Sequence, residues 1–456
     1  MDIPMLLKVL RAIRQLRQHE TWSRAQLDTF QAASLHRLRE HAYARSPFYQ
    51  RFHHGLFDRP LAELPVLTKS ILMEHFDELV TDPAIHLEAV RAFAGERLDG
   101  RLFLDRYRVT ATSGSSGQPG FFLFDEPEWL TIMASFARGQ EWSGARINPA
   151  HRLKMATVAS ISPWHTSSQV AATAQTPWTP SIRLPASDPL PSIVQRLNDW
   201  QPDMLIGYAS MARILAEEQN AGRLHIHPAK TFTSSEMLTD ETRRRIKTAW
   251  GDGPFNQYGA TETADIAAER QGCRRMHLFE DLVIAEVVDE AYRPVPPGAY
   301  GARVLITTLF SRTQPLIRYE LNDSIRLASE TCPSGHVFGV VDGIQGRVEE
   351  SLRLPALTGG RTDVEPLVFN RIMDILPVAG WQVVQAVGDG LAVLVSGPRP
   401  GFDADALVAQ INQASAEHGV RVPYVQVQVV PAIPKAASGK TPLIRKAQTA
   451  APAELY

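Results

Sequence analysis

A short run of hydroxyl residues and glycines, T-S-G-S-S-G-Q-P-G, occupies positions 112 to 120. Glycine permits positive φ and close backbone approach, while hydroxyl groups and bare N–H groups converge as donors. Such a loop can cradle the phosphate oxygens of a nucleotide. A flexible linker is the commoner fate of this composition, but linkers rarely lie between two apolar, strand-like runs such as 101–109 and 121–124. The run therefore favours a phosphate-binding loop.

Two other loop chemistries do not fit the spacing. A Walker A loop requires G-x-x-x-x-G-K-[ST]; no lysine follows Gly117, and Pro434 stands where the G-K-T at 439–441 would need its first glycine. The nucleophile elbow G-x-S-x-G fails because Gln118 occupies the position two after Ser116. P-loop kinases and serine hydrolases are therefore disfavoured.

The two cysteines are each followed by a histidine four positions later, as Cys273 with His277 and Cys332 with His336. Four soft or borderline ligands in two knuckles suit tetrahedral Zn²⁺, which would be structural. The alternative is a pair of small buried cysteines beside surface histidines. Two cysteines in 456 residues argue against a disulfide framework.

Length and charge limit the function classes. A chain of 456 residues, 44% of them hydrophobic, predicts two or more domains. With 47 Lys and Arg against 49 Asp and Glu, no basic field exists to recruit nucleic acid, so we expect a small ligand. No apolar run reaches the ~18 residues of a membrane span. The apolar start is interrupted by Lys8, Arg11 and Arg14, so we expect a cytoplasmic protein.

The elements that must position these residues alternate between about 102 and 318. This alternation predicts an α/β fold, with parallel sheets covered by helices and ligand loops at the strand ends. After Asp281, longer strand-like segments predict an antiparallel subdomain. The predicted strands are 153–159, 204–208, 231–234, 282–288, 303–309 and 317–319, and the predicted helices are 190–199, 211–218 and 239–249.

The two ends of the chain have their own patterns. Residues 5–16 predict an amphipathic basic helix, whose packing on its own body or a second subunit is favoured over a membrane surface. Beyond Arg347 the order strand, turn, strand, helix, strand predicts a small α+β unit. We therefore expect a helical segment at 1–100, a core domain at 101–346 and a C-terminal domain at 347–456, with a hinge near 346–351.

Four further segments complete a set that resembles a known superfamily. They are N-Q-Y-G-A-T-E at 256–262, I-R-Y-E-L-N-D at 317–323, G-R-V-E-E at 346–350 and P-K-A-A-S-G-K at 434–440. In this order the set is similar to the adenylate-forming (ANL) superfamily, whose signatures are a Ser/Thr/Gly phosphate loop, Y-G-x-T-E, an R-T-G-D-like strand, G-R-x-D-D at a hinge and P-K-x-x-x-G-K.

Within that superfamily, the chain most resembles the phenylacetate-CoA ligase-like family. The similarity covers nearly the whole chain and includes S-P-F-Y at 46–49, L-P-V-L-T-K at 64–69 and S-E-M-L-T at 235–239. It implies a large N-terminal adenylate-forming domain, with helix-covered β-sheets and an antiparallel subdomain, followed by a small mobile C-terminal α+β domain.

The implied activity is an ATP- and Mg²⁺-dependent acid–thiol ligase. A carboxylic acid, aromatic by preference, is activated as acyl-AMP and transferred to a thiol, with coenzyme A as the favoured acceptor. Two alternatives stay open: transfer to a carrier protein or amine, and a nucleotide-binding protein without turnover. The resemblance also leaves room for a homodimer.

The resemblance implies a role for each matched residue. Lys440 is the mobile catalytic lysine, Thr261 touches the α-phosphate and Glu262 holds Mg²⁺. Asp323 and Arg347 fix the ribose, and Glu350 belongs to the hinge. The other nucleotide-binding residues are Thr112, Ser113, Gly114, Ser115, Ser116 and Gly117 at the β- and γ-phosphates, and Ser235, Glu236, Tyr258 and Gly259 around the adenine.

The sequence indicates less clearly which residues line the pocket for the acid. Trp164 and His165 follow one predicted strand and Tyr208 ends another, so they could wall the pocket at the ligand edge of the sheet. The ring of Trp164 or of Tyr208 would suit a flat aromatic acid, although packing in the hydrophobic core explains these two residues equally well. For the Cys/His pairs, relatives of this group often carry a zinc-binding cluster in the same region.

The chain departs from the family pattern at several positions. The family's phosphate loop contains a lysine near its proline, whereas Gln118 and Gly120 flank that proline here. One phosphate-directed cation is therefore missing. Glu349 and Glu350 replace the hinge aspartates, and residues 351–365 lack the usual glycine-asparagine turn, so the acceptor step could differ from CoA ligation.

Overall fold

The computed structural model describes residues 3–96, 100–112, 119–145, 152–347, 351–436 and 440–446. Short 3₁₀ helices lie at Leu61–Glu63 and Val387–Asp389. The α-helices are α1 (Ile3–His19), α2 (Arg24–Arg45), α3 (Pro47–Phe52), α4 (Lys69–Glu74), α5 (Phe76–Leu79), α6 (Leu87–Gly95), α7 (Glu126–Trp142), α8 (Thr166–Thr173), α9 (Leu190–Trp200), α10 (Ala209–Asn220), α11 (Asp240–Trp250), α12 (Pro366–Met373) and α13 (Ala404–Glu417).

The strands form five sheets. They are β1 (Arg108–Ala111), β2 (Phe121–Phe124), β3 (Met155–Ala159), β4 (Ser181–Pro185), β5 (Met204–Tyr208), β6 (Lys230–Ser234), β7 (Phe255–Ala260), β8 (Ala264–Glu269), β9 (Met276–Leu278), β10 (Val283–Val288), β11 (Arg303–Thr308), β12 (Tyr319–Leu321), β13 (Asp323–Leu327), β14 (Val340–Arg347), β15 (Leu352–Pro355), β16 (Arg361–Val364), β17 (Val378–Gln385), β18 (Leu391–Pro398), β19 (Val425–Val430) and β20 (Ile444–Arg445).

The largest sheet has nine strands in the order β13-β14-β9-β8-β7-β6-β5-β3-β4. Its strands β4, β3, β5, β6 and β7 are parallel, and the remaining pairs are antiparallel. Helices α9, α10 and α11 connect parallel strands, because such strands need a crossover. The predicted α/β fold is confirmed, and β5 has the predicted bounds.

An antiparallel sheet, β10-β11-β12, follows the large sheet as predicted for the segment after Asp281. Two expected strands were placed wrongly. Arg318 has a left-handed φ of 53°, so β12 begins at Tyr319, two residues later than predicted. Leu104 and Asp105 also have positive φ, 49° and 54°, and this turn delays β1 to Arg108. A left-handed backbone conformation is uncommon at non-glycine residues, and the sequence gives no clear sign of where it occurs.

The amphipathic N-terminal helix is longer than predicted and packs on the body of the chain. Val9 and Leu16 of α1 are buried, and Lys8 forms a 2.7 Å ion pair with Glu126 at the start of α7. Packing on its own body, one of the two expected arrangements, is therefore present. Among the described helices, none is long and apolar enough to span a membrane.

The C-terminal residues form a unit with its own core. The sheet β19-β18-β17-β20 is joined by α12 and α13, and a separate hydrophobic cluster extends from Leu352 to Ile444. The predicted strand, turn, strand, helix, strand order is observed. The hairpin β15–β16 lies just after the expected hinge and is closed by Gly359 and Gly360, both at positive φ.

Candidate active site

The carboxyl ends of four parallel strands define one edge of the large sheet. Strands β3, β5, β6 and β7 all run in the same direction. The chain leaves them at Ser160, Ala209, Ser235 and Thr261 respectively. Loops at the carboxyl ends of parallel strands are the usual ligand-binding positions in open α/β sheets. Six of the predicted site residues lie on these loops: Trp164, His165, Ser235, Glu236, Thr261 and Glu262.

The serine-rich run connects the two strands of a hairpin. Ala111 of β1 pairs with Phe121 of β2, so the strands enclose positions 112 to 120. Thr112 and Gly120 close the base of the loop, because Thr112 N–H donates to the Gly120 carbonyl (3.0 Å) and Gly120 N–H donates to Thr112 Oγ1 (2.8 Å). The linker alternative is inconsistent with this closed base. The predicted Ser113, Gly114, Ser115, Ser116 and Gly117 lie outside the described residues.

Lys69 lies at the base of this loop and was missed by the sequence reasoning. Its Nζ donates to Thr112 Oγ1 at 3.4 Å. A Cβ atom on Gly120 would lie 3.2 Å from Lys69 Cε, so glycine there makes room for the lysine stem. The missing loop lysine was the sign that could have prompted a search for a cation elsewhere.

Two features hold Lys69 in place. Leu67 N–H donates to the Arg318 carbonyl and Glu320 N–H donates to the Leu67 carbonyl, both at 3.0 Å, which joins this segment to β12. Thr68 then caps α4 by accepting from Ile71 N–H at 3.3 Å. Lys69 is the first residue of α4, where a positive charge opposes the helix dipole. Its position is therefore not explained by helix stability.

Tyr258, Asp323 and Arg347 come together from β7, β13 and β14. The Tyr258 hydroxyl donates to Asp323 Oδ2 at 2.8 Å, and Arg347 Nε lies 3.6 Å from Asp323 Oδ1. Burial raises the pKa of Tyr258 well above its ordinary value, and the neighbouring Asp323 raises it further. Tyr258 therefore stays a neutral donor. The β7–β8 register shifts between Tyr258 and Gly259, which leaves Gly259 exposed at the mouth of the site.

Thr261 and Glu262 follow β7 in the same loop. The Thr261 carbonyl accepts from Thr166 Oγ1 at 3.1 Å, which ties this loop to α8. Glu262 is buried, and its Oε1 accepts from the Tyr319 hydroxyl at 3.3 Å. Burial raises the pKa of Glu262, against the opposing effect of Arg347. A buried carboxylate of this kind gains most from a cation, so the residues fit Mg²⁺.

Ser235 and Glu236 turn the chain after β6. Ser235 is exposed and has a left-handed φ of 65°. Glu236 accepts from two backbone N–H groups, that of Ser210 at 2.9 Å and that of Thr441 at 3.1 Å. Burial raises the pKa of Glu236, against the opposing effects of Ser210 and Lys440. The Thr441 bond reaches from the large sheet to the C-terminal unit.

Lys440 reaches the same edge from the C-terminal unit. Its Nζ lies 5.4 Å from the centroid of the Tyr208 ring, within cation–π range. The Tyr208 hydroxyl accepts from Ser160 N–H at 2.9 Å, which fixes the ring. Burial lowers the pKa of His165, and the charge of Lys440 lowers it further, so the two side chains are neighbours. Lys440, Tyr208, His165 and Glu236 thus form one group.

Trp164 is less favourably placed for a pocket wall. Its ring lies 6.3 Å from that of Phe93 on α6, edge to face, and it packs against the main hydrophobic core. Its carbonyl accepts from Ala111 N–H at 2.8 Å, beside the phosphate loop. Of the three residues expected around the acid, Tyr208 and His165 face Lys440, while the contacts of Trp164 indicate core packing.

Three of the four expected zinc ligands converge. The ligand atoms of Cys273, His277 and Cys332 lie within 4.8 Å of one another, and Cys273 Sγ is 3.5 Å from His277 Nε2. Donors bound to one tetrahedral zinc ion lie about 3.6 Å apart. The Phe338 carbonyl accepts from His277 Nδ1 at 3.1 Å, which leaves the Nε2 lone pair directed at the cysteines. The donor set therefore fits zinc.

His336 lies beside this group but differs in orientation. Its ring centroid is 4.8 Å from that of His277, and its Nδ1 accepts from Phe338 N–H at 3.4 Å. Its Nε2 is buried and has no hydrogen-bond partner among the described residues, and the three ligand atoms that lie within 4.8 Å of one another do not include it. As the structure stands, the fourth predicted ligand is a neighbour of the site.

Comparisons with known proteins place this geometry in context. No family model matches the chain. Phenylacetate-coenzyme A ligase from Thermus thermophilus is 25% identical over 379 residues, which cover 78% of each protein. The chain is a homologue of phenylacetate-CoA ligase. The resemblance inferred from the motifs is therefore confirmed.

Solved structures of 2-hydroxyisobutyryl-CoA ligase share the fold at lower identity. In the postadenylation state, that enzyme is 20% identical, with a TM-score of 0.70 over 91% of this chain and 88% of its own. In its thioesterification state, solved in complex with 2-HIB-AMP and CoA, the TM-score is 0.58 at 19% identity over 94% and 91%. The chain therefore matches the postadenylation structure with the higher TM-score.

Proposed function

We propose that this protein is an AMP-forming acid–thiol ligase, which activates a carboxylic acid with ATP and transfers the acyl group to coenzyme A. The observation that carries the proposal is the approach of Lys440, from the C-terminal unit, to the ligand edge of the large sheet. There it lies 5.4 Å from the Tyr208 ring centroid. The homology to phenylacetate-CoA ligase supports the same activity.

The nucleotide would bind across the loops at the carboxyl ends of the strands. Tyr258, with Ser235 and Gly259, borders the space for the adenine, and Asp323 accepts hydrogen bonds from ribose hydroxyls beside Arg347. Both carboxylate oxygens of Glu236 accept backbone N–H groups, so its expected place at the adenine is not part of this proposal. The closed hairpin base at Thr112 presents the serine-rich loop to the β- and γ-phosphates. Thr261, in the loop tied to α8, lies toward the α-phosphate. These roles follow the motif matches, and the proximity of the described side chains supports them.

The chemistry requires two anions to meet. The substrate carboxylate attacks the α-phosphorus, pyrophosphate leaves, and an acyl adenylate forms. Lys440 stabilises the charge on both reactants as they approach, and preorganised donors of this kind give ~10² to 10³ in rate. The thiol then attacks the acyl carbon and AMP leaves. We propose that the small unit rotates about the expected hinge between the two steps; its residue Glu350 lies outside the described residues.

Lys69 supplies the cation that the phosphate loop lacks. Its ammonium group lies at the hairpin base, 3.4 Å from Thr112 Oγ1, and α4 directs it toward the loop. A phosphate oxygen held by that loop would gain a charge-assisted hydrogen bond. The alternative of a nucleotide-binding protein without turnover rested on the missing lysine and on the altered segment after the hinge. The placement of Lys69 removes the first of these two grounds and favours the enzyme.

An aromatic acid fits the Tyr208 side of the site best. The Tyr208 ring and the imidazole of His165 flank Lys440, so a flat acid placed against them would bring its carboxylate to Lys440 Nζ. Tyr208 is held by its bond from Ser160, which makes it a rigid wall. We therefore propose an aromatic carboxylic acid as the substrate class.

Two metals would accompany this activity. Mg²⁺, held by Glu262 and the phosphates, neutralises charge on the triphosphate when bound. Zinc, held by Cys273, His277 and Cys332, would tie the segment after β8 to β14 and act structurally. A homodimer and a cytoplasmic location stay predictions, which light scattering and cell fractionation would check.

Exchange of labelled pyrophosphate into ATP, across a panel of aromatic and aliphatic acids, tests the activation step. We expect exchange that depends on an aromatic acid. Adding CoA should then give a thioester detectable by mass spectrometry. Exchange without a thioester would favour a carrier protein or amine as acceptor, and ATP binding without exchange would contradict the proposal.

A further inference from the structure

Glu236 connects two parts of the molecule through its two carboxylate oxygens. Oε2 accepts from Ser210 N–H (2.9 Å) in the first turn of α10, where helix N–H groups lack intrahelical partners. A carboxylate at this helix end is favoured by the helix dipole. Oε1 accepts from Thr441 N–H (3.1 Å), which belongs to the C-terminal unit. One side chain thus caps a helix of the large part and holds the tail segment.

The bond to Thr441 acts on the peptide group that follows Lys440. The carbonyl of this peptide group accepts from Ala436 N–H at 2.8 Å, and its N–H donates to Glu236. Both polar atoms are therefore held, one inside the small unit and one by the large part. Thr441 itself is buried. This peptide group is bonded to the Cα atom of Lys440. The hydrogen bond to Glu236 therefore fixes the backbone position from which the lysine side chain extends.

Several other contacts between the two parts involve residues other than Lys440 and Thr441. Arg213 Nη1 donates to the Ala379 carbonyl at 2.6 Å, and Lys435 Nζ donates to the Ala186 carbonyl at 2.7 Å. Arg399 pairs with Glu217 at the exposed rim. These bonds hold the small unit against the large part, whereas the Glu236 bond is made at the residue next to Lys440.

We propose that Glu236 is a positioning residue that latches the Lys440 segment for the activation step and releases it for thiol transfer. This inference rests on the proposed function. The latch is closed in this structure, which matches the postadenylation structure of 2-hydroxyisobutyryl-CoA ligase with a higher TM-score than the thioesterification structure. In the arrangement for thiol transfer, the small unit turns and the Thr441 bond breaks. The bond therefore favours one half-reaction at the expense of the other.

Glu236→Gln keeps the shape of the side chain but offers one acceptor oxygen instead of two. Its amide N–H₂ would face one of the two backbone N–H donors. We expect acid-dependent pyrophosphate exchange to fall about 10-fold, as for the loss of one charge-assisted hydrogen bond. We expect thioester formation from preformed acyl-AMP and CoA, assayed without ATP, to be unchanged or faster. The dissociation constant for ATP should change by less than about 3-fold, because the latch does not bind the nucleotide.

Arg399→Gln is the matched control, because it removes an ion pair from the same interface far from Lys440. Both half-reactions should change less than about 2-fold in this variant. A second measurement is independent of turnover: hydrogen exchange of the 440–446 segment in the full chain. It should be faster in Glu236→Gln than in the wild type and unchanged in Arg399→Gln.

The outcomes separate the latch from the proposed function. Wild-type protein that shows no exchange with any acid would defeat the proposed function, while the hydrogen-exchange result would still judge the latch. An equal fall in both half-reactions, or a loss of ATP affinity as large as the loss of exchange, would overturn the latch. Unchanged protection of the 440–446 segment in Glu236→Gln would also overturn it.

Discussion

Lys69 and Gly120 are complementary at the base of the serine-rich hairpin. The lysine stem occupies the space beside Gly120 that a Cβ atom would restrict, and its ammonium group contacts Thr112. In the proposed function, Lys69 supplies from a separate segment the cation that the family places within the loop. A triphosphate needs local positive charge irrespective of which segment provides it.

Lys69→Met tests this assignment. We expect kcat/KM for ATP in pyrophosphate exchange to fall about 10- to 100-fold, the value of one charge-assisted hydrogen bond to phosphate. The melting temperature should not fall, because a positive charge at the first residue of α4 does not stabilise the helix. Steady-state kinetics and thermal denaturation measure the two effects.

Two further variants control for general loss of charge. Lys69→Arg should restore part of the activity, and Lys247→Met, which removes an exposed lysine from α11, should leave the ATP kinetics unchanged. ATP kinetics of Lys69→Met equal to those of the wild type would show that this cation does not serve the nucleotide.

At the residue scale, motifs could be predicted from sequence and long-range partners could not. Tyr258, Glu262, Asp323 and Lys440 were predicted because each lies in a segment that resembles a family motif, and their roles stay predictions. Lys69 reaches the site through the pairing of Leu67 with Tyr319, residues far apart in the chain. The orientation of His336 depends on one backbone N–H, which no spacing rule can predict.

At the scale of elements, a buried ionic cluster anchors the N-terminal helices to the body. Asp281, after β9, accepts two 2.7 Å bonds from Arg138 of α7 and a third, also 2.7 Å, from His19 at the end of α1. Burial alone would raise the pKa of Asp281, but Arg138 and His19 outweigh it and lower this pKa to about 2. Three elements therefore depend on one ionised carboxylate.

The lowered pKa of Asp281 gives stability a defined pH dependence. The contribution, about 2 to 3 kcal/mol, is full above the unfolded-state pKa near 4 and is lost as the pH falls through the folded-state value. We expect Asp281→Asn to lose about 3 to 5 kcal/mol at neutral pH, because buried Arg138 then keeps only Glu20, 3.8 Å from its Nε, as an acidic neighbour among the described residues. Its melting temperature should also vary less between pH 5 and pH 2 than that of the wild type.

Asp289→Asn is the control, since Asp289 has a lowered pKa but lies at the surface with Arg293. Its melting curve should follow the wild type at each pH. An Asp281→Asn protein as stable as the wild type, with the same acid sensitivity, would contradict the anchoring role.

The Cys/His cluster joins the segment between β8 and β9 to the segment before β14. We expect about one zinc ion per chain in purified protein, measured by inductively coupled plasma mass spectrometry. Cys332→Ser and Cys273→Ser should lose the metal and melt at lower temperature, while His336→Gln should keep it. Metal-free wild-type protein of full stability would contradict the site, and loss of zinc from His336→Gln would contradict the three-ligand arrangement.

Element type and order could be predicted from the pattern, and several bounds could not. The run at 204–208 is apolar and flanked by helical segments, so its position as a central strand follows from composition. The turn at Leu104 and Asp105 interrupts an equally apolar run through backbone angles that depend on tertiary contacts. The antiparallel half of the large sheet was also not predicted, because the local periodicity of a sequence does not show which distant strands pair or in which register.

At the scale of the whole molecule, the account depends on one convergence. The hairpin loop base, the strand-end loops of the large sheet and the C-terminal tail meet at one edge, and the tail brings Lys440 beside Tyr208. Each part alone is a common structure. In the proposed function, they provide donors and a lysine for the reaction of a triphosphate with a carboxylate.

Acid-dependent exchange of labelled pyrophosphate into ATP, compared between the wild type and Lys440→Ala, tests this convergence most directly. The account predicts exchange in the wild type and a fall of ~10² to 10³ in the variant, with ATP still bound by both proteins. Exchange that is equally fast without the lysine, or a wild-type protein that binds no ATP, would contradict it.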